Sequence, residues 1–90
     1  MHVSFESVEK GSNIIDVRSN LDYDKKHLEG SINIPRLNLL KNHETYLNKN
    51  DIYYIICDKG EVSLSCSRIL NALGYNCYSI DGGMEGINNK

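Results

Sequence analysis

Proline is nearly absent from this 90-residue chain, cysteine is sparse and odd in number, and neither sign of charge is in marked excess. The single proline, Pro35, leaves no candidate linker, and the length leaves no room for a second core, so the chain reads as one domain over residues 1–90. A chain of this size buries only roughly 60–65% of its unfolded surface, so most apolar residues must serve one core. Ten Lys and Arg against 12 Asp and Glu give a net charge of -2 with no basic stripe, which excludes the electrostatic footprint of a nucleic-acid binder. No apolar run approaches the roughly 20 residues that cross a bilayer; the longest covers only residues 52–57. No cationic stretch followed by an apolar one opens the chain, so the expected setting is cytoplasmic, with no membrane partner. The three cysteines, Cys57, Cys66 and Cys77, form no CxxC pair, which argues against a disulfide framework. His2, His27 and His43 stand at no ligand spacing from them, so neither a metal nor a cofactor is expected.

What is present is an alternation of strand and helix signals. Ser4 is placed to cap a short helix over 5–10 that ends at Gly11. The β-branched run 13–17 reads as a strand, followed by a polar helix through Lys26 capped by Ser19 or Asn20. A short strand over 31–34 stops at Pro35, and residues 36–47 carry a helical spacing of Leu37, Leu40, Tyr46 and Leu47. Asn-rich patches at 48–50 and 88–89 read as a loop and a frayed tail. Residues 52–57 are apolar nearly throughout, as in a strand covered on both faces. Val62, Cys66, Ile69, Leu70 and Leu73 then trace one face of an amphipathic helix that ends at Gly74. A last strand, 76–80, runs into a turn at Asp81-Gly82-Gly83. Strands alternating with helices predict βαβ units around a parallel sheet.

One cysteine stands apart. Cys57 ends the most apolar strand, just before a short loop that opens into a helix, and in parallel sheets this is where ligands and chemistry sit. Backbone N–H groups of a tight loop and the positive end of the following helix favour a thiolate, the nucleophilic form of the side chain. Gly60 permits the positive φ that such a curl needs. Cys66, on the apolar helix face, reads as a buried and inert thiol, and Cys77 as a packing residue.

With Asp16-Val17-Arg18, Tyr23, His27, Gly30, Asn33-Ile34-Pro35, Cys57, Gly60, Ser63, Leu73-Gly74-Tyr75 and Asp81-Gly82-Gly83-Met84 in this order, the sequence from about Val3 to Ile87 resembles the rhodanese (sulfurtransferase) domain family. Ile14-Ile15-Asp16-Val17-Arg18 resembles the family's Asp-Val-Arg strand, and Tyr23, His27, Gly30, Ser31, Asn33, Ile34 and Pro35 match its YxxxHIxGAxNIP stretch. Cys57, Gly60 and Ser63 fall where the active-site loop lies; Leu70, Leu73, Gly74 and Tyr75 resemble its LxxLGY helix end; Asp81-Gly82-Gly83-Met84 resembles its closing turn. The resemblance implies an α/β fold with a five-stranded, mainly parallel sheet and helices on both faces. It implies that Cys57 cycles between thiolate and persulfide, inside a backbone N–H cradle formed by Asp58, Lys59, Gly60, Glu61, Val62 and Ser63, without an acid–base residue. A small sulfur donor or a protein persulfide would load it, and a thiol, a protein or another nucleophile would unload it.

The loop departs from the family in its charge. Asp58 and Val62 stand where relatives commonly carry arginine, and Lys59 is the loop's single cation beside Asp58 and Glu61. Slow reaction with anionic thiosulfate is the expectation, with a steering loss of ~10-fold or more. Ile87 stands where many relatives have tryptophan. Arg18 and Asp22 are expected to pair across the turn after the first long strand, and His27 to be packed or hydrogen-bonded. The other reading weighed is a degenerate module that docks a partner or senses redox state. Phosphatase or arsenate reductase activity is more distant, because the loop from Cys57 to Val62 is one residue short and lacks arginine at its sixth position.

Overall fold

The structure, a computed structural model, describes residues 1–88. Asn89, half of the expected frayed tail, lies outside the described residues, whereas Asn88 ends the last helix. Five strands, β1 (His2–Val3), β2 (Asn13–Asp16), β3 (Ile32–Asn33), β4 (Ile52–Ile56) and β5 (Asn76–Ile80), form one sheet in the order β1-β5-β4-β2-β3. Every neighbouring pair is parallel. The central register, Ile15 beside Ile55 and Ile55 beside Ser79, sends alternate side chains to opposite faces.

Each face carries its own apolar cluster. Helices α2 (Arg36–Lys41) and α4 (Glu61–Ala72) cover Ile15, Tyr53, Ile55, Cys57 and Cys77 with Leu39, Cys66 and Leu70. The opposite face packs Ile56 and Ile80 against Met84 of α5 (Gly83–Asn88), with Phe5, Val8 and Leu28 around them. The parallel sheet covered on both faces therefore agrees with the expectation.

Local departures have physical causes. Residues 5–10 do not form a helix: only a 3-10 turn, Phe5–Ser7, follows Ser4, whose side chain caps nothing. The two-residue strand β1, too short to leave a period-2 pattern, joins the sheet edge beside β5. Residues 36–47 split at Asn42, where φ is -121°, into α2 and α3 (His43–Tyr46). Helix α1 (Asn20–Lys25) is capped by Ser19, whose side chain accepts from the Asp22 N–H at 3.3 Å. Helix α4 ends as Gly74 predicts: the N–H groups of Gly74 and Tyr75 donate to Asn71 and Leu70 carbonyls at 3.0 and 3.1 Å. Its buried face, however, is rotated from the apolar stripe. Ser63, Cys66, Ser67 and Leu70 face the sheet, while Val62, Ile69 and Leu73 are exposed. Small side chains let the helix approach β4 and β5 closely, and that requirement outweighs the burial of three larger ones.

The Asp81-Gly82-Gly83 turn continues directly into α5, and this junction holds the loop after β4. The N–H groups of Met84 and Glu85 donate to the carbonyls of Cys57 and Asp58, both at 2.8 Å. Gly83 has φ +59°, and a Cβ there would lie 2.6 Å from the Asp58 carbonyl oxygen and closer still to that of Cys57. Gly11 has φ +91° with nothing within 4 Å of its missing Cβ. Gly83→Ala is therefore expected to destabilise by about 2–4 kcal/mol, through strain and backbone collision, and Gly11→Ala by only about 1 kcal/mol from strain. Urea unfolding of both variants checks this; equal losses would contradict it.

Candidate active site

Strand β4 carries Cys57 to its carboxyl end, where the chain curls through Asp58, Lys59 and Gly60 before α4 begins at Glu61. Gly60, the N-cap of α4, has φ +104°, and its missing Cβ would sit 3.0 Å from the Gly82 nitrogen. The curl thus requires glycine for conformation and for room. It turns two backbone N–H groups onto the sulfur: Gly60 and Ser63 donate to Cys57 Sγ at 3.1 and 3.3 Å. Other N–H groups of the expected cradle make no hydrogen bond to the sulfur.

Beneath the sulfur lies a pair of hydroxyls. Ser63 Oγ stands 3.3 Å from Cys57 Sγ and 2.6 Å from Ser79 Oγ on β5. The Gly60 carbonyl oxygen lies within hydrogen-bond distance of both hydroxyls, 3.2 Å from Ser63 Oγ and 3.4 Å from Ser79 Oγ, and is an alternative acceptor for either proton. Both serines are fully buried, and either can rotate its proton. With Cys57 as a thiol, its S–H donates to Ser63 Oγ; with a thiolate, the Ser63 hydroxyl donates to sulfur while Ser79 donates to Ser63. Ser79 carries no local signal of this role, because its register beside the loop depends on the pairing of β4 with β5.

Cys57 is only 4% exposed and forms the floor of a cavity of about 390 Å³. Val17, Arg18, Arg36, Asp58, Lys59, Glu61 and Val62 complete the lining. A larger hollow, about 700 Å³, opens beside the start of β2 among Phe5, Leu28, Ile32 and Tyr46. It holds no cysteine and none of the loop amides, so the smaller cavity is the candidate site.

The mouth contains guanidinium groups that the loop itself lacks. Arg18 does not pair with Asp22, as the sequence suggested. Its Nε and Nη2 donate to the buried carboxylate of Asp16 at 2.8–3.1 Å, and Nη2 also donates to the Lys26 carbonyl at 2.6 Å. The Asp16 hydrogen bond raises the Arg18 pKa against the opposing effect of burial. Asp58 meets the remaining Nη1 at 3.8 Å. Arg36, the first residue of α2, also enters the lining, a position no local motif announced.

Elsewhere the expectations for the histidine and the other thiols hold. His27 stacks on Tyr23 at 3.8 Å between ring centroids, and its Nδ1 lies 2.7 Å from the Tyr23 carbonyl oxygen. Cys66 and Cys77 are buried in the core, and that burial pushes both thiols up to about 11. They stay protonated at neutral pH. No group of three or more metal-ligating side chains occurs among the described residues. No helix among them is long and apolar enough to cross a membrane.

Comparison with known proteins bears out the family and the fold that the sequence suggests. The rhodanese-like domain family matches residues 6–90. Thiosulfate sulfurtransferase PspE of Escherichia coli is 34% identical over 74 residues, covering 81% of this chain and 71% of PspE. The adenylyltransferase and sulfurtransferase Uba4 of Ogataea parapolymorpha is 38% identical over 80 residues, 87% of this chain but only 20% of Uba4, so the likeness spans about a fifth of that protein. Among solved structures, SSP1007 of Staphylococcus saprophyticus aligns with a TM-score of 0.79 at 33% identity, covering 83% of this chain and 74% of SSP1007. Sequence motifs, fold and relatives converge: the chain belongs to the rhodanese-like domain family of sulfurtransferases.

Proposed function

We propose that the protein carries sulfane sulfur as a persulfide on Cys57 and passes it to a thiol or another nucleophilic acceptor. The observation that carries this reading is the position of the sulfur, at the floor of an open cavity and facing the N–H groups of Gly60 and Ser63. In loading, the Cys57 thiolate attacks the outer sulfur of a donor R–S–S⁻. The donor S–S bond breaks, R–S⁻ leaves with its electron pair, and Cys57–S–S⁻ remains. In unloading, an acceptor thiolate attacks the outer sulfur and Cys57 departs as thiolate. Charge and electrons balance in both steps, and no external oxidant is needed.

Both steps move negative charge among sulfurs in one place, so preorganised donors suffice and no general base is required. Hydrogen bonds to a charged group contribute about 1.5–3 kcal/mol each, against about 1 kcal/mol for neutral pairs. The Ser63 hydroxyl, backed by Ser79, supplies a further donor that turns toward sulfur when the charge is there. Uba4 is named as both an adenylyltransferase and a sulfurtransferase, and a further relative, YrkF of Bacillus subtilis, as a putative sulfur carrier protein, which supports a protein persulfide or protein thiol as one partner of this chain. Thiosulfate, a dianion, faces Asp58 and Glu61 at a mouth where Arg18 is already engaged by Asp16 and Arg36, alone among the described residues there, presents an unengaged guanidinium. We therefore assign it the role of a slow donor, although the name of the relative PspE specifies thiosulfate.

Three outcomes are expected. Protein preloaded with inorganic polysulfide releases thiocyanate on addition of cyanide, Cys57→Ala releases none, and thiosulfate supports a rate at least about tenfold lower. Absence of thiocyanate with every donor would favour the docking-module reading instead. Ser63→Ala, which removes the hydroxyl donor and keeps the backbone N–H, lowers the transfer rate about three- to tenfold; a rate equal to the parent's would remove the hydroxyl from the account. At pH 8, iodoacetamide labels Cys57 before Cys66 and Cys77, whose raised pKa keeps them as thiols until the pH climbs toward about 11. Peptide mass mapping reads the order, and early labelling of Cys66 or Cys77 would contradict it.

A further inference from the structure

Among the charged groups of the mouth, Arg36 combines a fixed base with an unengaged head. Its backbone N–H donates to the Val17 carbonyl at 3.1 Å, tying the start of α2 to the end of β2. Pro35 ahead of it has φ -52°, and its carbonyl accepts from Leu39, a fully buried residue, at 3.0 Å. The guanidinium itself makes no hydrogen bond or ion pair with any described residue, and Arg36 is among the residues that line the cavity whose floor is Cys57. Its charge also acts on Cys66 below, lowering that thiol's pKa against the larger effect of burial. Arg18 lines the same cavity, but its guanidinium is engaged: three of its hydrogen bonds go to Asp16 and a fourth to the Lys26 carbonyl, and Asp58 stands 3.8 Å from Nη1.

The remaining charges around the cavity leave no cationic excess. Lys59 stands with Asp58 and Glu61, and Asp16 lies behind Arg18, so no broad positive field draws in a multiply charged donor. Recognition here works by contact. A guanidinium presents a planar fork of N–H donors that matches a carboxylate in a two-point pair.

We infer that Arg36 is a specificity-determining residue that holds the carboxylate of a small organic persulfide or thiol while that molecule's sulfur meets Cys57. The inference rests on the proposed sulfur transfer at Cys57 and adds the class of its small partner: a singly charged, carboxylate-bearing sulfur compound. An exposed side chain at the head of a helix, immediately after Pro35, carries no local sequence signal of this role; only the tie of α2 to the end of β2 and the cavity lining shared with Cys57 reveal it.

A matched pair of alkylating reagents tests the assignment without requiring turnover. Iodoacetate carries a carboxylate and iodoacetamide does not, while both deliver the same carbon to the Cys57 thiolate. The readout is the ratio of their second-order rates at Cys57, followed by peptide mass in the intact protein. Arg36→Gln is expected to lower the iodoacetate-to-iodoacetamide ratio about fivefold to tenfold, and Arg36→Lys, which keeps the charge, to lower it less. A ratio for Arg36→Gln within about twofold of the parent's would overturn the inference, as would a full loss for Lys59→Gln with none for Arg36→Gln. Modification of Cys57 by neither reagent would overturn this inference and the persulfide reading together. The expected ratios in a protein that transfers no sulfur would overturn the persulfide reading alone and leave Arg36 as a carboxylate contact.

Discussion

Two backbone hydrogen bonds, from Met84 and Glu85 to the carbonyls of Cys57 and Asp58, are the constraint on which the candidate site depends. They bind the loop by its carbonyls from the α5 side, and a loop held that way is free to turn the N–H groups of Gly60 and Ser63 onto the sulfur. The arrangement requires close backbone approach from both directions. Gly83 lies against the carbonyls of Cys57 and Asp58, and Gly60 against the nitrogen of Gly82. Any side chain at either position would separate α5 from the loop and release the sulfur from its donors. The parallel sheet prepares this junction, because β4 and β5 deliver their carboxyl ends to the same edge.

Electrostatics at the site divide into a buried and an exposed layer. The buried layer consists of amides and the hydroxyls of Ser63 and Ser79, dipoles shielded from solvent and salt, whose contribution to a charged sulfur is correspondingly large. At the boundary with the exposed layer, Asp58, with a side chain 64% accessible, meets Arg18, whose side chain is only 8% accessible. Their 3.8 Å approach is worth at most about 1 kcal/mol and weakens with ionic strength. The proposed chemistry therefore resides in the cradle, and the side chains of the mouth act on which molecules reach it. Arg18 has a structural task first, as its fork neutralises Asp16 inside the core.

Much of the fold was legible because its signals are local. β4 and β5 announce themselves by composition, Gly74 ends α4 as a Schellman residue, and Ser19 caps α1. Cys57 at the end of an apolar strand, with Gly60 three residues on, marks a candidate loop, and the family motifs on either side of it are what point to sulfur chemistry. What was not legible depends on partners distant in sequence. The buried face of α4 is chosen by proximity to the sheet rather than by hydrophobicity, so Ser63 and Ser67 displaced Val62 and Ile69. Arg18 turned back to Asp16 because a fully buried carboxylate two residues away requires a cation more strongly than the half-buried Asp22 does. Ser79 and Arg36 reach the site across the sheet and from α2, and a count of charges within the loop could not include them.

The central claim is that Cys57 is a sulfur carrier, and intact mass tests it most directly. After incubation with inorganic polysulfide and removal of excess reagent, the account predicts one added sulfur, about 32 Da, that is lost on treatment with cyanide and maps to Cys57. An unchanged mass, or an adduct that persists when Cys57 is replaced by alanine, would contradict it.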